Sequence, residues 1–353
     1  MPKKKTILVA PLNWGLGHAT RCIPIINGLL ENDFNVIIAS DGGALQLLRK
    51  EFPDIESIEL LSYNIEYPKN GNFLKWKLLL KLPQIKKAIS SEKKTIKQLV
   101  SKEKIQGIIS DNRFGVKSSK IPSVYITHQL NVLSGISTFF SSKTHQKIIQ
   151  KFDECWVPDV EKNSNLSGVL GHLKATDLNL KYIGVLSRMK KFDLPIKYKY
   201  FLLLSGPEPQ RTVLKELLLE EFKNYKQPVL LVRGVVEKEQ RISQLGNITI
   251  YNFMKSLELE KAINESDIII ARSGYTTLMD LSILEKKVYF IPTPGQFEQE
   301  YLAKRMSDLY LAPFCNQNNF SLEKLNEIEN YSGLKFLNNK RDFKNLFRLF
   351  EGK

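Results

Sequence analysis

The sequence predicts an α/β protein made of two doubly wound, Rossmann-like domains facing across a cleft. Three observations carry that expectation. At 353 residues the chain is too long for one ordinary compact core. Short apolar runs alternate with longer stretches of helical periodicity, which argues for parallel sheets built from βαβ units. The alternation then restarts after a charged stretch without helical periodicity, "SRMKKFDLPIKYKY" at 187–200.

In the first half the expected strands are TILVA (6–10), NVIIAS (35–40), IESIELL (55–61), QGIIS (106–110), SVYIT (123–127) and ECWVP (154–158). Helical patterns run over 19–31, from 73 to about 102, and over 132–152. In the second half YFLLLSG (200–206), PVLLVRG (228–234), NITIYNF (247–253), DIIIARSG (267–274) and VYFIPTP (288–294) read as strands. Helices are expected over 210–224, 256–266, 275–286 and 297–309, and an amphipathic one over 341–353. The domains are therefore placed at 1–186 and 201–335, with 187–200 as linker and 336–353 as a helix that can pack back on the first domain. In such sheets ligands bind outside the carboxyl ends of the strands, here in the cleft.

Composition narrows the class. Apolar content of 42% and charge of 25% suit a soluble globular protein. The three cysteines, Cys22, Cys155 and Cys315, form no CxxC pair, which speaks against a disulfide framework or zinc site and for a reducing compartment. No run approaches the roughly 18 apolar residues of a membrane span, and the expected location is cytoplasmic. The net charge of +15 calls for anionic partners. Ten lysines and two glutamates between Lys75 and Lys104 interleave with Phe73, Trp76 and leucines, so the 73–104 window can rest on an anionic membrane surface. The rival reading is a core helix with a solvated lysine face, and Pro83 argues against one long helix. No RNP-like, zinc or helix-turn-helix signature supports nucleic acid as a partner.

Two motifs hold the candidate chemistry. "PLNWGLGHATRCIP" follows the first strand. As a dinucleotide fingerprint it lacks a third glycine and lies too far from its strand, although Asp41 could serve as the ribose acid. Read otherwise, Gly15 and Gly17 shape a turn that aims His18 at an acceptor hydroxyl as general base. Asp111, at the end of the QGIIS strand, either orients His18 or is itself the base. His128, also at a strand end, is placed on the acceptor side with Thr20 and Arg21.

The second motif is "ARSGYTTLMDLSILEKKVYFIPTPGQFEQEYLA", 271–303. Ser273, Gly274, Tyr275, Thr276 and Thr277 open a helix whose free N–H groups and dipole suit a diphosphate. Asp280 falls two turns on, where an acid can bind ribose hydroxyls. Gln296, Gln299 and Glu300 offer polar contacts to a sugar from the next loop.

These residues resemble GT-B glycosyltransferases of the MurG and diacylglycerol-glucosyltransferase type, family 28-like. The resemblance matches Gly17-His18 to the family's Gly-His pair, and Arg272, Ser273, Gly274, Thr277 and Asp280 to its donor-binding loop-helix. It matches Gln299-Glu300 to a Gln-Gln pair on the donor sugar, and Phe253 and Met254 to the segment framing uracil. The family's glycine-rich loop appears as "SGPEPQR", with Ser205, Gly206 and Arg211 left to approach phosphate while Pro207 and Pro209 remove two donors. The resemblance implies an inverting, metal-independent transferase using a UDP-sugar as co-substrate, with no separate cofactor. The acceptor would be a hydroxyl compound, lipid-linked if the chain sits peripherally on a membrane. The alternative is a UDP-sugar epimerase of the same architecture.

Overall fold

The structure, a computed structural model, describes residues 4–64, 74–161, 165–206, 208–335 and 342–352, apart from the side chains of 74–80 and 136. It divides into two compact units. The first takes in Met1–Ile65, Leu78–Leu186 and Asn338–Lys353; Glu66–Lys77 and Ser187–Leu337 belong to the second.

The first unit is a parallel seven-stranded sheet in the order β3-β2-β1-β4-β5-β6-β7. Its strands are β1 (Thr6–Pro11), β2 (Asn35–Ser40), β3 (Ser57–Glu59), β4 (Gly107–Asp111), β5 (Ser123–Ile126), β6 (Glu154–Val157) and β7 (Leu180–Tyr182). The central strands are buried along their length, as expected of a sheet covered on both faces. Its helices are α1 (Gly17–Glu31), α2 (Gly42–Glu51), α3 (Leu74–Ser101) and α4 (Thr138–Ile149). The strand order reverses between β1 and β4, so the loops leaving those two strands flank the switch point. The chain crosses Pro83 within α3 without ending it, because Ile85, Ala88 and Ile89 just beyond pack on Leu12 and Tyr63 and hold the helix in place. α4 begins six residues later than its periodicity suggests: Ser142 Oγ accepts from Val132 N–H and Thr138 Oγ1 from Ser134 N–H, competing with helix formation.

A last helix, α9 (Phe343–Glu351), belongs to this unit. Phe347 and Phe350 are buried edge-on to Phe34, with ring centroids 6.0 and 6.4 Å apart, and Phe350 also meets Trp156. Gly107 permits the approach, since a Cβ there would lie 2.5 Å from the Phe350 ring. Lys5 Nζ donates to the carbonyls of Phe350 and Glu351, placing a cation at the negative helix end.

The second unit has the sheet order β10-β11-β9-β8-β12-β13. Its strands are β8 (Tyr198–Leu203), β9 (Val229–Val232), β10 (Ile242–Leu245), β11 (Ile248–Tyr251), β12 (Ser266–Ala271) and β13 (Lys287–Phe290). Helices α5 (Gln210–Phe222), α6 (Ser256–Asn264), α7 (Tyr275–Ile283) and α8 (Phe297–Asp308) complete it. All pairs are parallel except the β10–β11 hairpin. The switch point here lies between β8 and β12.

The expected linker at 187–200 is part of this unit. Lys190 N–H donates to Glu260 Oε2, Phe192 N–H to Asn264 Oδ1, and Lys197 N–H to the Glu265 carbonyl, while Tyr198 already opens β8.

Candidate active site

At the switch point of the first unit, β1 delivers the chain into a turn where Gly15 has φ +74°, a conformation that suits glycine. The turn feeds α1, whose first residues are Gly17 and His18. β4 ends on Asp111, which is fully buried. His18 Nδ1 lies 2.7 Å from Asp111 Oδ1. Arg21, one turn along α1, donates from Nε to Asp111 Oδ2 at 2.5 Å and from Nη2 to Oδ1. Its Nη1 lies 3.0 Å from His128 Nδ1. Asn112, with φ +58°, adds a bond from Nδ2 to Asp111 Oδ1 at 3.2 Å.

Burial alone would push the Asp111 carboxyl up, but Arg21 and His18 overcome it and hold the group well below the usual carboxylate range. The acid is thus an anion with both oxygens engaged. His18 is different. Its side chain is 15% exposed and that of Asp111 0%, so of the two only the imidazole can meet a solvent-borne hydroxyl. Nδ1 faces both the carboxylate and, at 2.9 Å, the Arg21 Nη2 donor; a ring that donates from Nδ1 to the carboxylate keeps its lone pair on Nε2. Thr20 and Arg21, expected on the acceptor side, face inward: Thr20 Oγ1 donates to the Gly17 carbonyl and Arg21 is 2% exposed. His128 is 5% exposed, tied to Arg21.

A second buried cation lies beside this cluster. Arg113 donates to Glu92 Oε1, to Asp41 Oδ1 and to the Pro11 carbonyl. Tyr63 and Gly115 N–H bond the other Glu92 oxygen, and Asn13 the other Asp41 oxygen. Asp41 is committed to structure, which removes the ribose acid that a dinucleotide reading needed. Sequence reasoning did not find Arg113. A lone arginine after a strand carries no signal of burial; only "SDNR", an acid and a base flanking the strand end, hints at it.

In the second unit the motif residues behave otherwise. Arg272 is fully buried and donates to the carbonyls of Ile291, Pro292 and Gln210 and to Gln317 Oε1. Burial lowers its pKa to about 9. It clamps three loops together and is not placed to meet phosphate. Ser273, also buried, donates to the Gln299 carbonyl at 2.7 Å. Gln299 turns its Oε1 to Thr293 N–H, and Glu300 accepts from Gly295 N–H. Tyr275 and Phe253 are core residues, 2% and 4% exposed. These side chains shape the loops.

What remains toward solvent is a helix start and a few partly exposed groups. Gly274 caps α7, and Thr276, Thr277 and Asp280 are half-buried along it. Ser187 Oγ donates to Asp280 Oδ1 at 2.6 Å. After β8, Ser205 is half-buried and Gly206 has φ +92° with open space where a Cβ would stand. Pro207 lies outside the described residues. Arg211 is bonded by Glu208 and by the Gly234 carbonyl. Met254 and Gln296 are half-buried at the ends of their loops. Among the described residues, no group of three His, Cys, Asp or Glu is arranged to hold a metal ion.

Residues 209–340 match the glycosyltransferase family 28 C-terminal domain. A curated relative is the UDP-N-acetylglucosamine--N-acetylmuramyl-(pentapeptide) pyrophosphoryl-undecaprenol N-acetylglucosamine transferase of Sulfurihydrogenibium sp. (strain YO3AOP1), 25% identical over 131 residues. That match covers 36% of each protein, so the chain spans about a third of the relative's length. Among solved structures, MurG of Acinetobacter baumannii superposes with a TM-score of 0.52 at 16% identity, covering 94% of this chain and 93% of that one. A putative UDP-N-acetylglucosamine 2-epimerase from Listeria monocytogenes gives a TM-score of 0.60 at 10% identity, over 99% and 96%. The fold alone therefore does not separate transfer from epimerisation. The chain has the two-domain GT-B fold, and residues 209–340 resemble the glycosyltransferase family 28 C-terminal domain.

Proposed function

We propose that the protein is an inverting, metal-independent glycosyltransferase that moves a hexose or N-acetylhexosamine from a UDP-sugar to an acceptor hydroxyl. The observation that carries this reading is the His18–Asp111 pair: an imidazole with outward access, its inner nitrogen held by a buried carboxylate. In one in-line displacement, His18 Nε2 takes the acceptor's hydroxyl proton and the oxygen bonds to the anomeric carbon. The bond from that carbon to the diphosphate breaks, and its electron pair leaves on UDP. Asp111 positions the ring and balances the imidazolium that forms. The start of α7, with Thr276 and Thr277, suits the departing diphosphate, and Asp280 suits the ribose. The family 28 match over the second unit supports the donor class.

A lipid-linked acceptor fits a surface of the first unit. Phe139 and Phe140, 65% and 72% exposed, open α4. Lys143 and Lys147 follow on the same stripe, and no acid lies on the helix. Such a surface suits an anionic bilayer at its cytoplasmic face. Part of the 73–104 window first considered for this role lies outside the described residues. No helix among the described residues is long and apolar enough to cross a membrane.

Incubation with UDP-N-acetylglucosamine or UDP-glucose and an acceptor alcohol, followed by proton NMR, tests the main reading. Release of UDP with a product of opposite anomeric configuration is expected. Conversion to the manno epimer would establish the rival reaction, and inertness toward every UDP-sugar, with no thermal shift, would remove the donor class. Sedimentation with phosphatidylglycerol vesicles, lost in Phe139→Ser/Phe140→Ser, tests the surface.

A further inference from the structure

Resting on the reading of His18 as base, we propose that Arg21 is a positioning residue that cancels the charge of Asp111, so that the carboxylate orients His18 without holding it protonated. A carboxylate alone beside an imidazole favours the protonated ring, which cannot act as a base. Here both Asp111 oxygens are bonded by one guanidinium, and its Nη2 lies 2.9 Å from His18 Nδ1. An imidazolium at this place faces a cation at 2.9 Å as well as the anion at 2.7 Å. The carboxylate, at 2.7 Å, is the nearest partner of His18 Nδ1, and the ring proton is assigned there; Arg21 Nη2 at 2.9 Å and Asn112 Nδ2 at 3.5 Å are donors that crowd the same nitrogen.

The same guanidinium sorts the second histidine. Arginine only donates, so His128 Nδ1 must accept from Nη1, and the proton of neutral His128 sits on Nε2. One guanidinium therefore reaches the Nδ1 atoms of both histidines. The other titratable or charged groups bonded into this cluster are Cys22, whose Sγ lies 3.7 Å from Asp111 Oδ2, and Tyr125 with His145 behind Asn112. Arg113 beyond them is matched by Asp41 and Glu92.

The chain has four histidines, so their ring signals can be assigned by substitution and followed by NMR from pH 5 to 9 without any substrate. In Arg21→Met the titration midpoint of the His18 ring should rise by about one pH unit, and in Asp111→Asn it should fall, the two variants moving it in opposite directions. Ring nitrogen shifts of the unmodified protein should show His18 protonated on Nδ1 and His128 on Nε2, a readout that stands even if Arg21→Met fails to fold. Equal midpoints in both variants, or His128 protonated on Nδ1, would overturn the assignment to Arg21. Arg21→Lys keeps the charge but not the fork, and should leave the midpoint within a few tenths of a unit while disturbing the His128 tautomer. If His18→Ala retains full turnover of a UDP-sugar, the reading of His18 as base fails instead, whatever the midpoints do.

Discussion

The two switch points of this molecule use polar residues in opposite ways. In the first unit, Arg21, His18 and Asn112 all converge on one carboxylate, and the group left outward is a side chain, His18. In the second, Arg272, Ser273, Gln299 and Glu300 bond the protein's own backbone, and what they present outward is a helix start and a glycine turn. Proton transfer needs a titratable atom with a fixed tautomer, whereas an anion is held well by several oriented peptide dipoles. The contrast teaches that a motif residue can serve a ligand without touching it.

The comparison breaks most visibly at its two centres. His18→Ala removes the only proposed base and should lower turnover by about two to four orders of magnitude, with UDP affinity largely kept. Stopped assays alongside calorimetry separate the two effects, and unchanged turnover would take the base away from His18. Arg272→Ala should act through folding: it strips four acceptors of their donor in the interior and should cost about 3–5 kcal/mol in urea unfolding. A variant that folds normally but no longer binds UDP would return Arg272 to the phosphate.

How much of this was legible in the sequence follows the same division. The alternation of apolar runs and helical patterns gave most of the element order, because strands buried on both faces are written as continuous apolar segments, but α2 (Gly42–Glu51) was not among the expected helices. β10 escaped, since its four residues are all exposed and carry no burial pattern; β7, three partly exposed residues, did too. Of the site, the pairing of His18 with Asp111 was readable as strand ends meeting at one edge. Arg21 was misplaced toward the acceptor because sequence cannot tell a buried guanidinium from a surface one. For the same reason Arg272 and Gln299 read as ligand contacts.

Behind the His18 cluster, His145 sharpens the picture of a first unit held by side-chain networks. It bonds Tyr125 OH through Nε2 and the Gln129 carbonyl through Nδ1, and burial lowers its pKa to about 4. The folded protein keeps it neutral while the unfolded chain protonates it near pH 6.5. Its contribution is therefore complete above about pH 6.5 and is lost as pH falls toward 4, by about 3 kcal/mol in full. Asp111 acts in the same direction but in a lower window, a depressed acid whose stabilisation is present above about pH 4 and lost only below it. Urea midpoints at pH 7 and pH 5 should thus separate more in the native protein than in His145→Gln. Equal separations would place the acid sensitivity elsewhere.

Smaller effects are expected on ligand binding in the second unit, where helix and loop backbone face the donor. Asp280→Ala should weaken UDP by about 1–3 kcal/mol if it holds a pair of ribose hydroxyls. Calorimetry showing no change would move the ribose elsewhere along the loops.

The least effect is expected at Arg211, and it bears most directly on the contrast. Its guanidinium is engaged by Glu208, with 2.8 Å between Nη2 and Oε1, and by the Gly234 carbonyl. A cation already paired brings little net charge to a diphosphate, and a partly exposed ion pair is itself worth under about 1 kcal/mol. Arg211→Ala should therefore cost UDP binding less than about 1 kcal/mol. Glu208→Gln supplies the control: with its carboxylate gone, the arginine is released and UDP should bind modestly tighter, by an amount that shrinks with added salt. If instead Arg211→Ala alone abolishes binding, the second unit grips its ligand by a side chain after all, and the difference between the two switch points disappears.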